Sequence, residues 1–246
     1  MYEDLKKYIE ESDNIVFFSG AGVSMESGVP DFKSKNELYD QYDCEFKEYE
    51  PEDLLSEECL YYNPKLFYEF YRKKLDTRSN KPNITHQVLA KLEEKGKVQA
   101  VITRNIDGLH QRAGSKNVIE LHGTIRNNYC NKCKKEYPKN YIFESMDAVP
   151  RCKCGGQIRP DIILHDEFLP VEVIDEAVDA VRNADMLIVG GSSLHVFPDP
   201  MYVSYFNGKH FVAINGEKID ILFREDHDLM IIDSVENVFR EISKWY

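Results

Sequence analysis

The sequence lacks the marks of several protein classes. It has no excess of positive charge: 31 Lys and Arg face 43 Asp and Glu, a formal net charge of −12. That balance argues against bulk binding to a phosphate backbone and against direct nucleic-acid partners; small molecules or basic peptides fit it better. No run approaches the roughly 18 apolar residues that a membrane span needs. The opening residues, Met1-Tyr2-Glu3-Asp4-Leu5-Lys6-Lys7, carry charges of both signs with no apolar run behind them. That predicts no signal peptide and a cytoplasmic location. No internal repeat or low-complexity tract is present, and nothing calls for an assembly beyond the single chain. Disorder is excluded by what is abundant: 42% of residues are hydrophobic, with 15 Tyr and 13 Phe to fill a core.

Cysteine is scarce and unevenly placed. Four of the six fall in two tight pairs, Cys130-x-x-Cys133 and Cys152-x-Cys154, while Cys44 and Cys59 stand apart as ordinary buried thiols. Without an export signal a disulfide framework is not expected. Two short-spaced pairs eighteen residues apart can instead close a tetrahedral zinc site of four thiolates. With every position taken by protein, the ion is expected to be structural, one per chain. Lys132, Lys134, Lys135, Arg151 and Lys153 would offset the cluster's negative charge.

Continuous apolar runs recur at Ile15-Val16-Phe17-Phe18, 98–102, 186–189, 211–214 and 229–232. Such runs suit strands buried on both faces, as in a parallel sheet. Helical periodicity lies between them: Tyr2 to Ser12, Thr85 to Lys95 with Gly96 as its stop, Val171 to Asn183, and a last helix capped by Asp233 or Ser234. Alternation of this kind predicts a doubly wound, Rossmann-like α/β sheet. Two segments break the rhythm. Residues 34–80 read as helical, with Asn63 as a cap and Pro64 at the first helical position. Residues 124–158 hold the paired cysteines. The expected organisation is a nucleotide-binding body of residues 1–33, 81–123 and 159–246, with 34–80 (helical module) and 124–158 (zinc-ribbon module) forming a smaller inserted domain.

Gly20-Ala21-Gly22 after a buried strand is by itself a weak dinucleotide signal, and position 25 is Met where a third glycine is expected. The longer string is more telling. Gly20 to Lys33, GAGVSMESGVPDFK, resembles the opening motif of the sirtuins, NAD-dependent protein-lysine deacylases. Thr103-Arg104-Asn105-Ile106-Asp107-Gly108-Leu109-His110 resembles their nicotinamide-pocket motif, and Glu120-Leu121-His122-Gly123 the segment bearing their catalytic histidine. Arg159 to Ile163, through Glu167 and Pro170, matches their peptide-receiving strand and loop. Gly191-Ser192-Ser193 to Pro198 and Ile214-Asn215 match their ribose and adenine side, and the cysteine pairs fall where that family keeps zinc.

The resemblance implies an NAD-dependent protein deacetylase. The acetyl group of an acetyl-lysine would pass to ADP-ribose, with release of nicotinamide. His122 would be the base that deprotonates a ribose hydroxyl, a task that suits imidazole at neutral pH. Asn105 would hold the ribose and a water, and Asp107 the nicotinamide carboxamide; both residue types are also ordinary turn formers beside Gly108. Ile106 and Phe32 would wall the nicotinamide pocket. Ala21, Gly22, Met25, Lys33, Arg104, Gly191, Ser192, Ser193 and Asn215 complete the cofactor-binding strip, although Ser192-Ser193 could equally cap a helix. The acyl-lysine tunnel would pass near Ile163, His165 and Val196.

The chain departs from the family at Lys33 (usually Arg), Arg104 (usually Gln) and His165-Asp166 (usually Phe-Gly). One reading of the first pair is compensation, with Arg104 supplying the planar fork that Lys33 lacks. The other is that Arg104 turns away and pairs with a surface carboxylate. Two further functions remain open on these residues. One is mono-ADP-ribosyl transfer to protein, which needs no deacylating base; the other is a non-catalytic NAD-binding interaction module.

Overall fold

The computed structural model describes residues 1–30, 46–194, 199–219 and 227–246. Expectations for Phe32, Lys33, Cys44, His195 and Val196 lie outside the described residues.

Six strands form one parallel sheet: β1 (Ile15–Ser19), β2 (Val98–Thr103), β3 (Val118–Glu120), β7 (Met186–Gly190), β8 (His210–Asn215) and β9 (Asp228–Ile232). Their order is β3-β2-β1-β7-β8-β9. The apolar runs are continuous because both faces are covered. Ile15 and Phe17 of β1 pack with Leu5, Ile9, Leu89 and Phe239 on one face. Val16 and Phe18 pack with Val181, Leu187 and Tyr202 on the other. Strand order runs outward in both directions from the β1–β7 pair. The loops leaving these two neighbours therefore diverge and open a crevice at their carboxyl ends, the topological switch point of a doubly wound sheet.

A second, antiparallel sheet joins β4 (Gly123–Cys130), β5 (Glu136–Tyr137) and β6 (Ile158–Ile162) in the order β5-β4-β6. The helix Pro64–Lys74 packs Phe67, Tyr68, Phe70 and Tyr71 into the same core as Ile142 and Ile158. Tyr71 stacks on Phe143 at 5.0 Å. Thus the aromatic helix and the cysteine-bearing sheet are each other's core. The fold is the expected one: a doubly wound parallel sheet with a smaller ribbon-like module beside it.

Local signals fare unevenly. Ser234 caps the last helix, its Oγ accepting from Asn237 N at 3.1 Å, and Gly96 adopts φ +75° past the end of the helix Ile84–Glu94. Asn63 stands at the cap position before Pro64, yet its side chain makes no capping bond. The reason is double duty: Asn63 also closes the preceding helix, Glu57–Tyr62, through Asn63 N to Cys59 O at 2.9 Å, which holds its backbone at φ −127°, ψ 52°.

Two histidines are sealed under the sheet. His86 and His110 are fully buried, with ring centroids 4.6 Å apart, and His110 Nε2 meets Ser19 Oγ at 3.0 Å. Burial lowers the His86 pKa to about 4, and burial followed by the neighbouring His86 pushes His110 well down. Between pH 6.5 and 4 the unfolded chain therefore binds protons that the native chain refuses, and stability falls as pH falls. For His86 alone the loss is about 3 kcal/mol across that window. Chemical denaturation at pH 7 and pH 5 should show a steeper drop in the native protein than in His86→Gln; equal drops would remove His86 as the cause.

Candidate active site

The crevice is built from backbone first. Gly20 N donates to Gly190 O at 2.9 Å, and Gly22 N to Gly191 O at 3.0 Å. A Cβ on Gly20 would lie 2.3 Å from Gly191 O, and one on Gly22 2.9 Å from Gly191 Cα. The loops after β1 and β7 therefore touch main chain to main chain, a contact open only to glycine.

Beside this contact lies a cleft of about 370 Å³. Its lining joins Ala21, Arg104, Asn105, Ile106, Asp107 and His122 to Ile163, Leu164 and His165 beyond β6, and the two sets adjoin where Ile163 N donates to His122 O at 2.9 Å. Asn105 Nδ2 donates to Gly20 O at 3.0 Å and to Ser24 Oγ at 2.9 Å, which ties the end of β2 to the glycine turn. Asp107 Oδ1 accepts from Leu109 N at 2.7 Å, so its expected turn role is real. Its Oδ2 is buried without a protein partner, and burial raises the pKa of the carboxyl. An unpartnered buried acceptor is costly, and this one belongs to a residue that lines the cleft. His122 is half-buried at the turn before β4. Gly123 next to it has φ +70°, and a Cβ there would lie 2.2 Å from Asp161 O, so the path of the chain at His122 requires glycine.

The loop after β6 is pinned from below. Glu167 Oε2 accepts from Arg159 Nη2 and from Leu164 N, each at 2.8 Å. Burial pushes the Glu167 carboxyl up, but these hydrogen bonds outweigh it and hold its pKa below the ordinary value. His165 and Asp166 are exposed at the rim.

Other expected positions flank the cleft rather than line it. Met25 and Ser193 are exposed, and Asn215, at the carboxyl end of β8, spends its Nδ2 on Glu217 O at 3.2 Å. Ser192 is buried and donates through Oγ to Asp199 Oδ2 at 3.2 Å. Arg104 lines the cleft and pairs with a carboxylate, as one of its two expectations has it, but with a buried one: its Nη1 donates to the same Asp199 oxygen at 2.7 Å. Asp199, with a side chain 1% exposed, gave no signal in the sequence, because its partner lies ninety-five residues away. Arg104→Gln should thus cost about 3–5 kcal/mol by leaving a buried carboxylate unpaired, and adding Asp199→Asn should recover much of it. Thermal denaturation across the double-mutant cycle checks this; additive losses would rule out the pairing as the cause.

The cysteines converge. The Sγ atoms of Cys130, Cys133, Cys152 and Cys154 all lie within 4.8 Å of one another, with Cys130 to Cys154 at 3.5 Å and Cys133 to Cys152 at 3.7 Å. Tetrahedral zinc with bonds of about 2.3 Å sets its sulfurs about 3.8 Å apart. The donor set and its spacing both fit zinc. Gly156 makes room, since a Cβ there would lie 2.7 Å from Cys130 Sγ.

Comparison with known proteins agrees with this architecture. The Sir2 family model matches residues 20–198. The chain is 46% identical over 240 residues to an NAD-dependent protein deacetylase of Clostridium acetobutylicum, covering 97% of this chain and 96% of that one. It is 44% identical over 243 residues to a protein of the same name from Staphylococcus epidermidis, covering 98% and 96%. Among solved structures, one described as bearing on sirtuin substrate affinity superimposes with a TM-score of 0.87 at 35% identity, over 99% of this chain and 98% of that one. Another, Sir2 with a p53 peptide and NAD+, gives 0.82 at 34% identity, over 100% and 98%. With its doubly wound sheet, its four-cysteine module and a cleft between them, this chain belongs to the Sir2 family.

Proposed function

We propose that the protein is an NAD-dependent protein-lysine deacetylase that transfers the acetyl group of an acetyl-lysine to ADP-ribose. The observation that carries this reading is the one cleft that gathers Asn105, Asp107 and His122 together with the loop beyond β6. NAD supplies an anomeric carbon bearing a cationic pyridinium leaving group. The glycine contact at 20–22 and 191 lets a pyrophosphate approach main chain. Asp107 Oδ2 accepts from a carboxamide N–H. Asn105, held by its Nδ2, keeps Oδ1 for a ribose hydroxyl or a water. His122 takes the proton of a ribose hydroxyl. The sequence similarity to enzymes named for this activity supports the assignment. In this reading the helical and zinc modules expected from the sequence form a small domain, and Pro51, Glu52 and Leu55 of the helical module line the cleft. Cytoplasmic residence belongs to it too, since four zinc-binding thiolates call for a reducing compartment.

Mass spectrometry of an acetyl-peptide incubated with NAD tests the proposal. Acetyl-ADP-ribose and free nicotinamide are expected; ADP-ribosylated protein, or no turnover at all, would refute it. The exposed Asp166 at the rim should also draw substrates with Lys- or Arg-rich flanks. A peptide array should show that preference, reduced in Asp166→Gly; an array indifferent to basic flanks would dismiss it.

A further inference from the structure

A second cleft, of about 390 Å³, lies on the other side of Asp107. Its walls carry four cationic side chains, Arg78, Arg112, Arg126 and Lys139, on a chain whose net charge is −12. Asp107 is the one carboxylate among the described residues that line it. Two of the cations are already neutralised. Arg78 is clamped by Asp76 through two contacts of 2.7 Å, with Glu144 at 3.6 Å. Arg126 reaches Glu120 at 3.2 Å.

The other two form no ion pair among the described residues, although the Arg112 charge is felt by the Asp107 carboxyl. Among the described residues no carboxylate lies within ion-pair distance of Arg112 or Lys139; Arg112 Nη1 reaches only the Thr77 carbonyl, at 3.4 Å. Thr77 supplies an independent sign of a ligand. It lines the cleft and is 3% exposed, yet its Oγ1 is buried without a hydrogen-bond partner. A hydroxyl donor on the residue whose carbonyl meets the guanidinium, with an ammonium on the same cleft, is a set for an oxyanion. The aromatic ring of the cleft does not suit a flat ligand. Phe143 is stacked on Tyr71 at 5.0 Å and has the Arg78 guanidinium 5.0 Å from its centroid. The volume falls in the range of small-molecule sites.

We propose that this cleft is an anion site, separate from the NAD cleft, that takes a small phosphorylated molecule on Arg112, Lys139 and the Thr77 hydroxyl. It does not depend on the deacetylase reading, because none of these three residues lines the first cleft.

Inorganic pyrophosphate is the probe, titrated calorimetrically into the zinc-loaded full chain. No nucleotide is present, because ADP-ribose is itself a phosphorylated molecule and would compete for the site; pyrophosphate held in the dinucleotide cleft is told apart by its persistence in the variants below. One pyrophosphate per chain is expected to bind at the proposed site. Affinity should fall at least tenfold in Arg112→Gln/Lys139→Gln and severalfold in Thr77→Val, whose methyl preserves the packing. Should the double variant fail to fold, Lys139→Gln alone, at an exposed position, still carries the test. No binding, or affinity unchanged in these variants, overturns the proposal.

Discussion

His122→Ala should reduce deacetylation by about 10²–10⁴-fold in kcat, the contribution of a positioned general base, while NAD binding stays near wild type. The asymmetry follows from the placement of the groups. Asn105 is fixed by Gly20 O and Ser24 Oγ, and Asp107 by Leu109 N. None of those bonds passes through His122, so the cleft should keep its shape when the imidazole is removed. Exchange of free nicotinamide into NAD should partly survive, because departure of the leaving group precedes the step that needs the base. Steady-state kinetics with a separate exchange assay decide the matter. Near-wild-type turnover, or equal loss of NAD affinity and rate, would remove His122 from the proposed mechanism. Gly123→Ala offers a second view of the same point: the collision with Asp161 O should displace His122 and lower kcat without touching its chemistry.

Loss of zinc should have the largest effect on stability. Structural zinc in small modules has an apparent binding free energy of about 10–16 kcal/mol near pH 7, and that energy is folding energy. Here the metal would tie the turn at Cys130–Cys133 to the turn at Cys152–Cys154. Their strands, β4 and β6, share a core with the aromatic helix Pro64–Lys74. Removing the ion should therefore unfold the antiparallel sheet first and free that helix next, leaving the parallel sheet as a separate, later transition. Elemental analysis should find one zinc per chain. Cys154→Ala, or treatment with a strong chelator, should split thermal unfolding into two steps and abolish activity although no cysteine lines the cleft. A single unshifted transition after verified metal removal would refute a structural role for zinc.

Much of the architecture is legible before folding because it rests on short-range or periodic information. The run Ile15-Val16-Phe17-Phe18 announces a strand covered on both faces, since alternate residues must each find apolar neighbours, and they do. The cysteine pairs announce their convergence because ligand chemistry leaves thiolates at that spacing few other uses. Asn63 shows the limit of local reading. Asn63 does stand at the cap position before Pro64, but its backbone is already claimed by the helix that precedes it.

What the sequence by itself determined is the class of the sheet and the donor set for zinc, which follow from side-chain type and spacing along the chain; Asn105, Asp107 and His122 stood out only through the family resemblance of their motifs. Tertiary structure alone decided which charges are spent. Arg104 and Ser192 turn to Asp199, while Arg159 braces Glu167 under the substrate loop. Arg112 and Lys139 form no ion pair among the described residues, on a chain with twelve more acids than bases. Such pairings depend on distances of a few ångströms between segments far apart in sequence, and the energy of a charge is set by burial and by its nearest partner. No pattern along the chain encodes either quantity.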